Sequence, residues 1–217
     1  MNNDCCFCSE YLHTSDSQYY VELGKKIGFK SRILLETKHW YAIPTLGCFS
    51  VGYILLVCKH HYQSLSTLSS ELYNDMLHLK SLVEARIYLK LGQKCIAFEH
   101  GSSSASHSGA KSVDHVHLHI LPFSEEVWPY ISSKFDLNEF IAFPDYNKLF
   151  STWEKYKPNT YLLFQDLNGI IYYKTNVCTF PSQFFRKCLA SYVGTKRWNW
   201  REDYCEKNIV DTIKLFQ

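Results

Sequence analysis

The chain has 217 residues, with 23 Lys and Arg against 21 Asp and Glu and a formal charge of +2. That length suffices for one large domain, or one domain with an extension, and the near-neutral balance argues against a long nucleic acid or an anionic membrane as partner. No run reaches the roughly 18 apolar residues needed to cross a bilayer, the start MNNDCCFCSE lacks the basic-then-apolar order of a signal peptide, and nine cysteines, odd in number and scattered, fit reduced thiols, so a soluble protein of the cytoplasm is expected.

From Arg32 to Val57 the runs RILLET, HWYAIP and GYILLVC, separated at Lys38 and around Gly47, predict an antiparallel meander. Leu68, Leu72, Met76, Leu79, Val83 and Ile87 step by three or four and predict one amphipathic helix, with Ser69 or Ser70 as N-cap and Gly92 as the stop. KCIAFEHG then reads as a strand, SSSASHSGAKS as a small-residue loop, and VDHVHLHILP as a strand of period two. Beyond Phe123 the runs YLLFQD and GIIYYKT are joined through Asn168-Gly169, which suits a tight hairpin. A helix is expected from Pro181 in its first turn to Gly194, with Phe184, Phe185, Cys188, Leu189 and Tyr192 buried, and a last one from Asn208 to Phe216. The class is α+β, helices on an antiparallel sheet. Residues 1–123 are expected to form one domain, and 124–217 an extension packed on it.

On a strand, residues two apart share a face, so His115, His117 and His119 would line up over about 13 Å. Two chemistries compete for them. Two such histidines can grip a catalytic zinc, or one neutral imidazole can attack phosphorus and be nucleotidylated. The loop from Gly101 to Ser112, which holds Gly109 and Lys111, could bring backbone N–H groups and the donors of Ser108, Lys111 and Ser112 to an anion, which favours phosphate. A metal has a separate address: Cys5-x-x-Cys8 is one arm of a tetrahedral zinc site, with His60, His61 and His115 as candidates to complete it. Such a closed site would be structural.

HVHLHIL resembles the His-x-His-x-His signature of the histidine triad (HIT) nucleotide hydrolases and transferases. C-x-F-C, the strand–turn–strand YAIPTLGCFSVGYILLVCKHH, a long helix, FEHG and the closing Pro122 follow in the family's order, so the resemblance covers about residues 1 to 123. It implies a HIT-like fold, a nucleotide or dinucleotide substrate, and His117 as the nucleophile at the α-phosphorus. It also implies His119 as a donor to phosphoryl oxygens or leaving group, Ser112 as a phosphate contact, and a structural Zn2+ on Cys5, Cys8, His61 and His115. His61 falls where the family's strand ends in its zinc-ligand turn. The third histidine marks the hydrolase branch, since transferases related to galactose-1-phosphate uridylyltransferase carry glutamine there, although the zinc pair is shared with that branch. A homodimer is the family's common assembly.

The chain departs from the family pattern in several places. Glu99-His100-Gly101 replaces an Asn-containing phosphate grip, Thr45 falls near the usual ribose-binding acid, and Lys111 replaces a common glutamine. Phe7, Ile43 and Leu46 are candidates for a base pocket. Trp198 and Trp200 are expected at the edge of a core and His100 and His107 at the surface. A zinc-dependent hydrolase, a nucleotidyltransferase and a non-catalytic module that binds nucleotides or RNA ends remain as alternatives.

Overall fold

The computed structural model describes residues 5–12, 17–102, 113–177 and 180–217. The N-terminal segment supplies the short helices α1 (Cys6–Tyr11) and α2 (Lys25–Ile27). The expected meander follows as β1 (Leu35–Glu36), β2 (Trp40–Pro44) and β3 (Ile54–Cys58). Next comes α3 (Ser70–Leu91), whose N-cap Ser69 accepts from the Leu72 N–H and which ends at Gly92 in the left-handed conformation. Both ends thus follow the ordinary chemistry of helix termini. β4 (Lys94–Ser102) and β5 (His117–Phe123) complete the part that carries the histidines.

The rest of the chain forms α4 (Trp128–Lys134), β6 (Ile141–Phe143), α5 (Tyr146–Trp153), β7 (Thr160–Gln165), β8 (Ile171–Thr175), α6 (Phe184–Tyr192) and α7 (Glu206–Phe216). The strands make one antiparallel sheet in the order β1-β2-β3-β5-β4-β7-β8-β6. The class is α+β, as expected. β7 pairs with β4 from Ala97 opposite Gln165 to Ser102 opposite Thr160, so the C-terminal part lengthens the sheet.

Side-chain alternation gives the sheet two different faces. Trp40, Ala42, Ile54, Leu56, Leu118 and Ile120 point to the side covered by α3, whose stripe Leu72, Met76, Leu79, Val83 and Ile87 is buried against them. Each such side chain contributes about 1.5–3 kcal/mol on leaving water. Leu55 lies opposite His119 and Val57 opposite His117, so the histidines share the other face. That face is covered on one side by α1 and on the other by α4, α6 and α7.

Three sequence expectations change. β5 begins at His117, because residues 113–115 bend away, and His115 leaves the row of three. Pro181 lies outside α6, since Gln183 takes a left-handed conformation (φ 60°) and the helix starts at Phe184. α4, β6 and α5 fall where the sequence offers no clear period.

The C-terminal part docks on the β2–β3 turn. Gly47 N–H and Cys48 N–H donate to the Tyr204 carbonyl, and Gly52 N–H donates to Thr212 Oγ1 at 2.9 Å. Gly47 has φ +65°, and a Cβ there would lie 2.5 Å from Arg186 Nη2 and 2.7 Å from Trp200 Cα. Gly47→Ala is therefore expected to cost about 1–3 kcal/mol from overpacking beyond the left-handed penalty itself. Gly28→Ala is the control, because its φ is +79° with nothing within 4 Å of the added carbon. Urea titration of both variants checks this, and equal midpoints would contradict the close docking.

Candidate functional site

His117 and His119 leave the same face of β5 with ring centroids 5.0 Å apart. His117 Nδ1 lies 2.6 Å from the His115 carbonyl. A carbonyl only accepts, so Nδ1 carries the hydrogen and Nε2 is the unprotonated, basic nitrogen of the ring. Phe7 packs edge-on against the His117 ring at 5.4 Å. His119 stacks on Phe98 at 4.4 Å, and its Nδ1 lies 2.8 Å from Tyr53 Oη. One edge of the His119 ring is open, yet its dense surroundings hold its pKa well below the usual histidine value: burial acts first, then His117 and the Arg186 guanidinium. Burial pushes the Tyr53 phenol far up, so it stays protonated.

The two histidines line a cleft together with Phe7, Thr45, Leu46, Leu55, Arg186 and Trp200. Arg32 also borders it, but is occupied by a bidentate pair with Glu10 at 2.7 and 2.8 Å. Of the base-pocket candidates, Phe7 and Leu46 reach the cleft. Ile43 is fully buried beneath it among Tyr41, Leu55 and Val57. Glu99 is brought elsewhere: it is buried on the α3 face, where its carboxylate accepts from the Leu65 N–H and the Tyr161 hydroxyl. Alternation along β4 accounts for this, since Phe98 faces His119 and its neighbour must point away. Gly109, Lys111 and Ser112, with His107 and Ser108, lie outside the described residues.

Sequence reasoning missed Arg186 and set Trp200 aside as core edging. A usable signal for Arg186 exists: it stands three and four residues before the buried Leu189 and Ala190 on α6, within the apolar stripe. For Trp200 the alternating Trp198 and Trp200 showed only that an aromatic edge exists.

Beside the cleft, the ligand atoms of Cys5, Cys8, His61 and His115 all lie within 4.8 Å of one another. Cys5 Sγ is 3.2 Å from His115 Nδ1, and Cys8 Sγ is 3.6 Å from His61 Nδ1 and 3.7 Å from His115 Nδ1. Tetrahedral zinc with ordinary bond lengths sets sulfur and nitrogen about 3.6 Å apart, so the cluster has the size a metal needs. His115 Nε2 lies 2.8 Å from the Cys58 carbonyl, which puts the hydrogen on Nε2 and frees Nδ1 for a metal. Two thiols and two imidazoles are a donor set that suits zinc. His60 is exposed and faces His39 instead, with ring centroids 6.2 Å apart.

The model of the HIT domain family matches residues 28–126. That stretch is thus similar to a HIT domain. Within it lie α3, β1–β5, both cleft histidines and two of the cluster ligands, whereas Cys5, Cys8, Phe7, Arg186 and Trp200 come from outside. Part of the chain is also similar to solved structures. A hypothetical histidine triad nucleotide-binding protein from Sulfolobus tokodaii is 18% identical, with a TM-score of 0.40, over 56% of this chain and 70% of that one. A Zn-bound histidine triad family protein from Mycobacterium smegmatis is 18% identical at a TM-score of 0.40, over 55% and 74%. A histidine triad protein from Clostridium difficile is 22% identical at 0.37, over 58% and 95%. No curated protein matches the chain. Among the described residues no helix is long and apolar enough to cross a membrane.

Proposed function

We propose that this chain is a nucleotide hydrolase that cleaves a phosphoanhydride, phosphoramidate or phosphoester bond at the α-phosphate through a nucleotidyl-His117 intermediate. The observation that carries the reading is the 2.6 Å contact of His117 Nδ1 with the His115 carbonyl, which leaves Nε2 as a nucleophile facing the cleft. In the first step the Nε2 lone pair forms a bond to the α-phosphorus while the bond to the leaving group breaks and its electron pair departs with that group. In the second step water adds to phosphorus, the N–P electron pair returns to Nε2, and the water gives up a proton to solvent.

His119 donates to the phosphoryl oxygens. Gly109, Lys111 and Ser112 contact phosphate, and Phe7, Leu46 and Trp200 wall the base. His119 in place of glutamine favours water as the acceptor over a second substrate. Cys5, Cys8, His61 and His115 hold a zinc whose part is structural: it ties α1 to the start of β5 and so fixes the carbonyl that orients His117.

The test is a panel of dinucleoside polyphosphates, nucleoside phosphoramidates and capped oligonucleotides, quenched within one turnover and read by mass spectrometry. A nucleotidyl group on His117 with release of the nucleoside monophosphate is expected. Cleavage without any His117 adduct would sink the covalent reading, and binding without cleavage would leave a binding module.

A further inference from the structure

Arg186 enters the floor of the cleft from α6 and is only 3% exposed. Its five N–H groups meet five acceptors. Nε donates to the Trp198 carbonyl at 3.0 Å, Nη1 to Thr45 Oγ1 at 3.1 Å and Tyr53 Oη at 3.2 Å, and Nη2 to the carbonyls of Leu46 at 3.2 Å and Gly47 at 2.7 Å. Among the described residues no carboxylate pairs with it. A guanidinium so held has no donor left for a ligand. Its effect on the site must pass through the groups it grips.

Tyr53 is the group that transmits it. The fully buried phenol accepts from Arg186 and lies 2.8 Å from His119 Nδ1. Were the hydrogen on His119 Nδ1, Tyr53 would receive two hydrogen bonds, and its own O–H, beside a cation that can only donate, would go unmade. An unmade buried donor costs about 1–3 kcal/mol. The opposite arrangement satisfies every group: Arg186 donates to Tyr53, Tyr53 donates to His119 Nδ1, and His119 carries its hydrogen on Nε2. A second proton on Nδ1 would displace the phenol hydrogen and place an imidazolium beside the uncompensated guanidinium. The neighbouring His117 and Arg186 bear on His119 in the same direction.

We infer that Arg186 and Tyr53 are positioning residues that hold His119 as a neutral, Nε2-protonated imidazole, able to give the phosphoryl group a hydrogen bond but not a proton. The inference rests on the nucleotidyl-His117 reading for its substrate and names one. A phosphate leaves as an anion and needs no proton from His119, whereas an amine must be protonated as its P–N bond breaks. The site is therefore built for nucleotide phosphoanhydrides rather than phosphoramidates. The C-terminal part, which supplies Arg186, is a working component of the cleft.

The experiment is NMR of full-length protein labelled with 15N-histidine, together with steady-state kinetics. Wild-type His119 is expected to show a bare Nδ1 and a protonated Nε2. In Tyr53→Phe, which removes one oxygen, and in Arg186→Lys, the His119 signals should move to a mixture of tautomers, with kcat on diadenosine triphosphate falling about 10- to 100-fold and KM nearly unchanged. A purely structural role would leave the tautomer in place. An Nδ1–H tautomer in the wild type, an unmoved tautomer in both variants, or faster cleavage of adenosine 5′-phosphoramidate than of diadenosine triphosphate would overturn the inference. If the expected tautomer appears but no nucleotide modifies His117, the hydrogen-bond array stands, and the covalent reading falls with the substrate assigned to it.

Discussion

His117→Ala is expected to lower kcat by a factor on the order of 10⁴ or more while nucleotide still binds. The two effects separate because the residue contributes one atom to the reaction and little to the walls. The His115 carbonyl, 2.6 Å from Nδ1, takes the ring's hydrogen and so leaves Nε2 as the basic nitrogen. Phe7, Leu46 and Trp200 line the cleft independently of it. Isothermal titration with a slowly cleaved nucleotide should give a Kd close to that of wild type, and single-turnover kinetics should give no product burst. Turnover at the wild-type rate in this variant would eliminate covalent catalysis by this imidazole, and total loss of binding would show that the ring serves the walls after all.

Metal removal should act on the fold before it acts on the chemistry. Purified protein is expected to hold about one zinc per chain. Structural zinc sites in small peptides contribute about 10–16 kcal/mol, and here the cluster joins Cys5 and Cys8 to His115, more than 100 positions away in the chain. α1 has other anchors, the buried Arg32–Glu10 pair and the hydrogen bond from the Tyr41 hydroxyl to the Phe7 carbonyl at 3.1 Å. Chelation, or Cys8→Ser, should therefore lower the melting temperature strongly and reduce activity only as folded protein is lost. A catalytic metal predicts the reverse, a folded chain that has stopped turning over. Metal-free wild type with an unchanged melting temperature would refute the structural site.

Much of this was legible because the signals are local. The His-x-His-x-His alternation and the Cys5-x-x-Cys8 pair each put their chemistry within a few residues, and the stripe from Leu72 to Ile87 has five members in four short steps. The contacts that decide roles are not local. His115 reads as the first member of a row, yet residues 113–115 bend and turn it to the cysteines. Glu99 stands where the family pattern places its phosphate grip, but strand alternation sends it to the α3 face. Arg186 touches groups more than 130 positions earlier in the chain, and its place in the α6 stripe signals burial without naming those partners. The three-residue β6 is too short to show a period, and it forms because β8 is there to pair with it.

The nine residues of β4 lie between β5 and β7, and the match to the HIT domain model ends at 126, before β7 begins. A chain cut there would bare a long ladder of backbone donors and acceptors, the sort of border on which strangers assemble into aggregates. In the intact protein that border is sealed from within. The outermost strands are then β1 and β6, of two and three residues, stubs too brief to recruit another molecule.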